Sequence, residues 1–202
     1  MDTQLKGRVA LVSGGDEVIG EGVARVLHHA GAKVALLARG KDRLKKIAAD
    51  LGDGAFAISC DITTAEGLAH AIEATQANLG AIDIVVNIAD VLRSSTSWPV
   101  RPYGEIPDGV WTETWEFIRL INALAPRMAE RGWGRIINIT SDSDAHPEGV
   151  TAEYASAKCA QSALTKGLAR TFAPQGVLVN VVSPAYVASH TLRDLLTQQS
   201  GP

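Results

Sequence analysis

The 202-residue sequence predicts an α/β protein in which helices flank a doubly wound parallel sheet, forming one domain over residues 1–202. Three observations lead to this fold class. Short apolar segments alternate with amphipathic segments of helical length, the apolar segments are continuous in character, and a glycine-rich turn follows the first of them. Continuous apolarity indicates strands that are covered on both faces, which is typical of parallel sheets. The chain is long enough for one substantial core and too short for two full-sized enzyme domains.

The apolar segments are predicted to form strands, and the amphipathic segments between them to form helices. The predicted strands are residues 9–12, 34–37, 55–58, 84–86, 136–139 and 177–182. The predicted helices are residues 19–29, 41–51, 65–79, 110–131 and 152–172. An irregular stretch, residues 92–108, follows the fourth strand. Ligands of such sheets bind beyond the carboxyl ends of the strands, so this stretch is a candidate wall of the site.

Charge and composition argue against several classes of partner. The net charge is −3 and no basic stripe runs along any segment, so neither nucleic acid nor an anionic membrane surface is expected as a partner. No apolar segment approaches the roughly 18 residues that span a bilayer. The polar start leads directly into a strand, and Cys60 and Cys159 show no disulfide framework or metal-ligand spacing. We therefore expect a cytoplasmic protein without a metal site, in which both cysteines are buried.

The first strand is followed by Ser13-Gly14-Gly15-Asp16-Glu17-Val18-Ile19-Gly20, a glycine-rich turn that opens a helix. Backbone N–H groups at a helix start, together with the helix dipole, can hold a pyrophosphate. Taken alone, the glycines fit an ordinary tight turn equally well. Their position after the first strand of a doubly wound sheet makes the turn a candidate cofactor site.

The end of the second strand bears on the type of dinucleotide. Leu37-Ala38-Arg39 lacks an acidic residue for a ribose 2′-hydroxyl and offers an arginine that can face a 2′-phosphate. This pattern favours NADP over NAD. The alternative interpretation is a solvated surface arginine near a helix start.

The strongest chemical signal is Tyr154-Ala155-Ser156-Ala157-Lys158, with Ser141 thirteen residues before the tyrosine. Residues four apart share a helix face, so Tyr154 and Lys158 can point into one cleft while Ser141 reaches it from a strand end. Carbonyl reduction needs a proton donor at oxygen. A tyrosine with a pKa of about 10 is a poor acid–base group, but a neighbouring ammonium favours its phenolate. The alternative is an exposed amphipathic helix.

These motifs resemble the short-chain dehydrogenase/reductase family, and within it the ketoreductases of the 3-oxoacyl-acyl-carrier-protein reductase type. The resemblance implies a Rossmann-type fold and NADP(H)-dependent interconversion of a small-molecule carbonyl and a secondary alcohol. It assigns the acid–base role to Tyr154, the tuning of that group and ribose binding to Lys158, and the substrate oxygen to Ser141. The residues that it implies for cofactor binding are Ser13, Gly14, Ile19, Gly20, Arg39, Asp61, Ile62, Asn87, Ala89, Tyr154, Lys158, Pro184, Val187 and Ser189.

The resemblance also implies a homo-oligomer, a dimer or tetramer. Family members pair through the helices that begin here at Val110 and Ala152. We expect the outer faces of these helices to keep Trp115, Leu164 and Leu168 available for pairing.

The chain departs from the family pattern in its nucleotide half. Val18 stands where the family has the middle glycine of the turn, with Asp16 and Glu17 at the tip, and Asp90 replaces another glycine. A β-branched side chain would crowd the approach to the pyrophosphate, and carboxylates would repel it. Affinity for a dinucleotide is therefore expected to be reduced.

The chain is also shorter than the family pattern. The segment after Phe117 is several residues short, and Asn122 lies too close to Pro126 to be the asparagine of a catalytic tetrad. The family's last strand and much of its substrate lid would lie beyond Pro202, so the sheet is expected to lack that strand. These departures leave open a second hypothesis, a non-catalytic relative that serves as a binding or interaction module. A flavodoxin-like nucleotide-binding domain ranks last, because it leaves the Ser141, Tyr154 and Lys158 pattern unexplained.

Overall fold

The computed structural model describes residues 4–88, 117–142, 145, 152–185 and 187. Its strands are β1 (Val9–Ser13), β2 (Lys33–Ala38), β3 (Ala55–Ser59), β4 (Ile82–Asn87), β5 (Gly134–Ile139) and β6 (Val177–Val182). Its helices in the described ranges are α1 (Val18–His29), α2 (Asp42–Leu51), α3 (Ala65–Leu79), α4 (Phe117–Glu130) and α5 (Ala152–Phe172). A short 3₁₀ helix, Ala173–Gln175, joins α5 to β6.

The strands form one six-stranded parallel sheet with the order β3-β2-β1-β4-β5-β6. The order reverses between β1 and β4, so this is where a crevice opens at the carboxyl ends of the strands. All of the predicted strands are present; β6 has the predicted bounds, and each of the other five is one to three residues longer than predicted. The predicted fold class, a Rossmann-type doubly wound sheet, is confirmed.

Two apolar cores lie on opposite faces of the sheet. Along β1, Val9 and Leu11 point into one core and Ala10 and Val12 into the other. This two-sided burial is the reason for the continuous apolarity of the strand. Helices α1 and α2 cover one face, and helices α3, α4 and α5 cover the other.

Burial on both faces does not extend to β6, and here the expectation was wrong. Val177 and Val179 are buried under α5, whereas Leu178 and Val182 are 45% and 50% exposed. Strand β6 is the last strand of the described sheet, and no described element packs on the face that carries Leu178. The absence of a described element over this face, which a single-strand pattern does not reveal, therefore accounts for the difference.

The structure corrects two further expectations and describes only part of the predicted element in a third. Cys159 is exposed rather than buried, since it lies on the outer side of α5. Leu164 and Leu168 are half-buried against the core, so they are not the open face that was expected for pairing. The predicted helix 110–131 corresponds to α4, in which Phe117 and Ile118 are consecutive. The first part of the predicted helix, including Trp115, lies outside the described residues.

Candidate active site

The turn between β1 and α1 is tight and depends on its glycines. Gly14 has φ +62°, a conformation that side chains disfavour, and its carbonyl oxygen accepts a hydrogen bond of 3.0 Å from the N–H of Glu17. A Cβ added at Gly20 would overlap that same carbonyl oxygen. The first turn of α1 therefore packs directly on the glycine turn, and both glycines are needed for this approach.

The start of α1 offers donors that fit an anionic group. The first intrahelical bond runs from the N–H of Glu21 to the carbonyl of Glu17 at 2.8 Å, so the N–H groups of Val18, Ile19 and Gly20 precede the hydrogen-bonded ladder. Such N–H groups, at the positive end of the helix dipole, suit a pyrophosphate. The Val18 side chain is half-buried at this same helix start. The N–H groups present therefore fit the pyrophosphate of a dinucleotide. The feature that departs from such a site is Val18, which adds a side chain where the family pattern has a glycine.

On the β2 and β3 side of the site, Arg39 is exposed and its backbone carbonyl accepts a hydrogen bond of 3.0 Å from Ser59 Oγ. Asp61 follows β3, and its carboxylate accepts a bond of 3.0 Å from the N–H of Thr63. Burial opposes ionisation of Asp61, but hydrogen bonds from Thr63 and the charge of Arg39 outweigh it, so the pKa of this carboxyl is lowered. Ile62 next to it is half-buried.

Ser13 and Asn87 lie at the point where the strand order reverses. Ser13 Oγ accepts a bond of 2.8 Å from the N–H of Ile88 and donates to Asn87 Oδ1 at 3.3 Å. Both side chains are almost fully buried. They join β1 to β4, and their contact with a dinucleotide stays a prediction. Ala89, predicted at the same edge, lies outside the described residues.

A buried chain of polar side chains continues from Asn87 to the helix that carries Tyr154. Asn87 Nδ2 donates to Asn138 Oδ1 at 3.5 Å, and Asn138 Nδ2 donates to Thr165 Oγ1 at 2.9 Å. Sequence reasoning did not single out Asn138 or Thr165. The available signal was an asparagine within the apolar strand Ile136-Ile137-Asn138-Ile139, because a buried amide needs partners.

The α5 lysine reaches the carboxyl end of β5. Lys158 is 6% exposed, and its Nζ donates to the carbonyl oxygen of Ile139 at 3.1 Å. The same Nζ lies 5.4 Å from the centroid of the Tyr154 ring. Ser141 follows β5 closely, is 9% exposed, and donates from Oγ to Asp142 Oδ1 at 3.2 Å. The structure thus places all three predicted groups around the end of β5.

The segment after β6 lies against the segment that carries Ser141. The N–H of Asp142 donates to the carbonyl of Pro184 at 3.2 Å, and the hydroxyls of Thr140 and Ser183 are 2.6 Å apart. Val187 is half-buried. Pro184 is therefore close to the segment that carries Ser141, while the contact of Pro184 and Val187 with a dinucleotide stays a prediction. Ser189 lies outside the described residues.

In the part of the chain that the structure describes, no group of three or more His, Cys, Asp and Glu side chains can hold a metal ion. None of the helices described is long and apolar enough to cross a membrane.

Comparison with known proteins gives a consistent picture. The family model described as short chain dehydrogenase matches residues 8–200. An uncharacterised oxidoreductase of Staphylococcus aureus strain MW2 is 33% identical over 188 residues, which is 92% of this chain and 80% of that protein. A relative from Staphylococcus epidermidis is also 33% identical, over 186 residues, 91% of this chain and 80% of its own length.

Two solved structures are closely similar in fold. The L-sorbose reductase of Gluconobacter frateurii, complexed with NADPH and L-sorbose, has a TM-score of 0.87 and 28% identity, covering 100% of this chain and 79% of its own. The 3-ketoacyl-(acyl-carrier-protein) reductase of Brucella melitensis, complexed with NADH, has a TM-score of 0.85 and 27% identity, covering 94% of this chain and 80% of its own. The two complexes contain different nicotinamide cofactors.

Proposed function

Because the chain belongs to the short-chain dehydrogenase family of oxidoreductases, we propose that it interconverts a carbonyl and a secondary alcohol with NADP(H), using Tyr154 as the acid–base group. The observation that carries this proposal is the buried ammonium of Lys158. Its Nζ lies 3.1 Å from the carbonyl oxygen of Ile139, the last residue of β5, and 5.4 Å from the centroid of the Tyr154 ring, and Ser141 follows the same strand. An ammonium group at this place favours the phenolate of Tyr154, because an opposite charge nearby stabilises the ionised form of the phenol.

Each of the three side chains has a distinct task in the proposed reaction. When bound, the nicotinamide ring supplies a hydride to the carbonyl carbon or accepts one from the carbinol carbon. Tyr154 gives its phenolic proton to the substrate oxygen in reduction and takes it back in oxidation. Lys158 favours the phenolate form of Tyr154 through its charge. Ser141 holds the substrate oxygen with its hydroxyl, which exchanges its present acceptor, Asp142 Oδ1, for the substrate carbonyl.

The proposed preference for NADP(H) rests on Arg39. This arginine follows β2 directly, is exposed, and stands where dinucleotide-binding sheets place the residue that meets the ribose 2′ group. The pyrophosphate is proposed to lie at Gly14, Ile19 and Gly20. The adenine would lie near Asp61 and Ile62. If this is correct, Arg39→Asp narrows or reverses the ratio of NADPH to NADH affinity, measured by cofactor fluorescence.

The test of the reaction separates binding from proton transfer. Reduction of a 3-ketoacyl thioester and of L-sorbose, chosen from the names of the two structural neighbours, is followed by loss of NADPH absorbance. We expect Tyr154→Phe to lower the rate by about 10²–10⁴-fold and to leave NADPH binding nearly intact. Full activity in this variant would show that another residue is the acid.

A matched pair on the same helix tests the lysine. Lys158→Met removes the buried ammonium, whereas Lys166→Met removes an exposed one from the same helix. The first change is expected to abolish turnover and the second to leave it unchanged. Equal rates in the two variants would contradict the role of Lys158.

The second candidate function is a non-catalytic relative that binds or interacts through the same fold. The observation in its favour is the half-buried Val18 at the first position of α1, where the family pattern has a glycine. Fluorescence titration separates the two candidates, because the enzyme requires NADPH or NADH to bind and the interaction module does not.

We also propose that the protein assembles as a homo-oligomer, on the strength of the family resemblance. Light scattering at micromolar concentration tests this, and a monomer would refute it.

A further inference from the structure

The carboxylate of Asp16 lies beside the connection between β2 and α2, although Asp16 belongs to the turn after β1. A Cβ built on Gly40 would lie 2.9 Å from Asp16 Oδ2, so the carboxylate is in the space that this glycine leaves open. The turn is held there by a bond of 3.0 Å from the N–H of Gly15 to the carbonyl of Leu37. Asp16 is therefore an acidic group at the carboxyl end of β2 that is supplied from another part of the chain.

Arg39 and Asp16 approach Gly40 from different sides. The backbone carbonyl of Arg39 is bonded to Ser59 of β3, and the charge of Arg39 contributes to the lowered pKa of Asp61 after β3. The arginine charge thus lies toward β3. Strand β2 separates β3 from β1, and Asp16 comes from the β1 side. A negative and a positive group therefore flank the same short segment.

In a dinucleotide site, the residues at the end of the second strand contact the 2′ group of the ribose. A carboxylate at the end of the second strand accepts a hydrogen bond from the ribose 2′-hydroxyl of NAD, and an arginine there accommodates the 2′-phosphate of NADP. The sequence after β2 contains only the arginine. The tertiary structure adds the carboxylate.

We propose that Asp16 is a specificity-determining residue, which rests on the function proposed above. Its carboxylate accepts a hydrogen bond from the ribose 2′-hydroxyl of NAD(H) and repels the 2′-phosphate of NADP(H). The effect of Asp16 on cofactor choice is therefore opposite to that of Arg39, and it reduces the ratio of NADPH to NADH affinity. A carboxylate that acted only on the pyrophosphate, which both dinucleotides share, would weaken the binding of both by the same factor.

Equilibrium binding distinguishes these two actions of the carboxylate. NADPH and NADH are titrated separately by fluorescence into the unmodified protein and into Asp16→Asn, which keeps the size of the side chain and removes its charge. We expect the affinity for NADPH to rise on the order of tenfold, because a phosphate and a carboxylate no longer repel each other. The affinity for NADH is expected to change by less than about threefold, because the asparagine carbonyl still accepts a hydrogen bond.

Glu17→Gln is the matched control, because it removes the neighbouring carboxylate of the same turn. It is expected to change the affinities for NADPH and NADH by one common factor. A common factor in Asp16→Asn as well, or no change, would overturn the role of Asp16 while leaving the proposed reaction intact. Absence of binding of either dinucleotide to the unmodified protein would overturn both proposals.

Discussion

Replacing Thr165 by valine removes one hydroxyl from the buried polar chain and leaves the shape of the side chain almost unchanged. Thr165 Oγ1 accepts a bond of 2.9 Å from Asn138 Nδ2 and donates to the carbonyl of Gln161 at 2.8 Å. Thr165 is 4% exposed and Asn138 is 0% exposed. The amide hydrogen of Asn138 therefore has no water to replace the lost acceptor. Leaving a buried polar group unsatisfied costs about 1–3 kcal/mol, and we expect the free energy of unfolding to fall by this amount.

The chain contains a matched control for this substitution. Thr171 lies on the same helix, and its Oγ1 donates to the carbonyl of Gly167 at 3.1 Å, four residues earlier, as Thr165 does to Gln161. Thr171 is exposed, and no side chain among the described residues bonds to its hydroxyl as Asn138 does to that of Thr165. Thr171→Val should therefore change the free energy of unfolding by less than about 0.5 kcal/mol.

Urea unfolding followed by circular dichroism measures both variants, and thermal unfolding gives a second reading. For a domain of this size, each kcal/mol of lost stability lowers Tm by about 2–4 °C. Thr165→Val should thus unfold several degrees below Thr171→Val. Equal stability of the two variants would refute the argument that the bond to Asn138 is buried and unreplaced.

Three other predictions concern the turn, the cysteines and the surface charge. Val18→Gly should strengthen NADPH binding in fluorescence titration, because it clears the approach to the helix N–H groups; unchanged affinity would show that the side chain does not obstruct the ligand. At pH 8, a thiol reagent should modify exposed Cys159 well before Cys60, because burial, and then the charge of its neighbouring aspartate, raise the pKa of Cys60 to about 11; equal rates would contradict this. Glu21 has a pKa lowered by its hydrogen bond to Arg25, so Glu21→Gln should cost about 0.3–1 kcal/mol at neutral pH, as measured by urea unfolding. The stabilisation is complete above the pKa that Glu21 has in the unfolded chain, and it is lost as the pH falls through the lowered pKa of the folded protein. A stability difference between the unmodified protein and Glu21→Gln that grows in acid would therefore contradict the assignment.

The local pattern of the chain was sufficient for the fold class and for the candidate chemistry. Apolar segments bounded by turn residues identified the strands, since a strand covered on both faces must be apolar along its whole length. The tyrosine and lysine four residues apart were enough to predict a shared helix face, because helix geometry alone decides it. The glycine turn could be read in the same way, since a Cβ at Gly20 would meet Gly14, only six positions away. In each case the partners are close together in the chain.

Other features depend on residues that are distant in the sequence and adjacent only in the folded chain. Ser13 and Asn87 are 74 residues apart, and Asn87 and Asn138 are 51 apart, so no local pattern connects them. The exposed face of β6 follows from what packs on the sheet, because no described element covers Leu178, and the strand pattern alone does not show this. The carboxylate of Asp16 reaches the end of β2 because parallel pairing of β1 and β2 brings the turns that follow them to the same edge. Periodicity reports which face of an element is buried, but only the packing of the elements decides which side chains meet there.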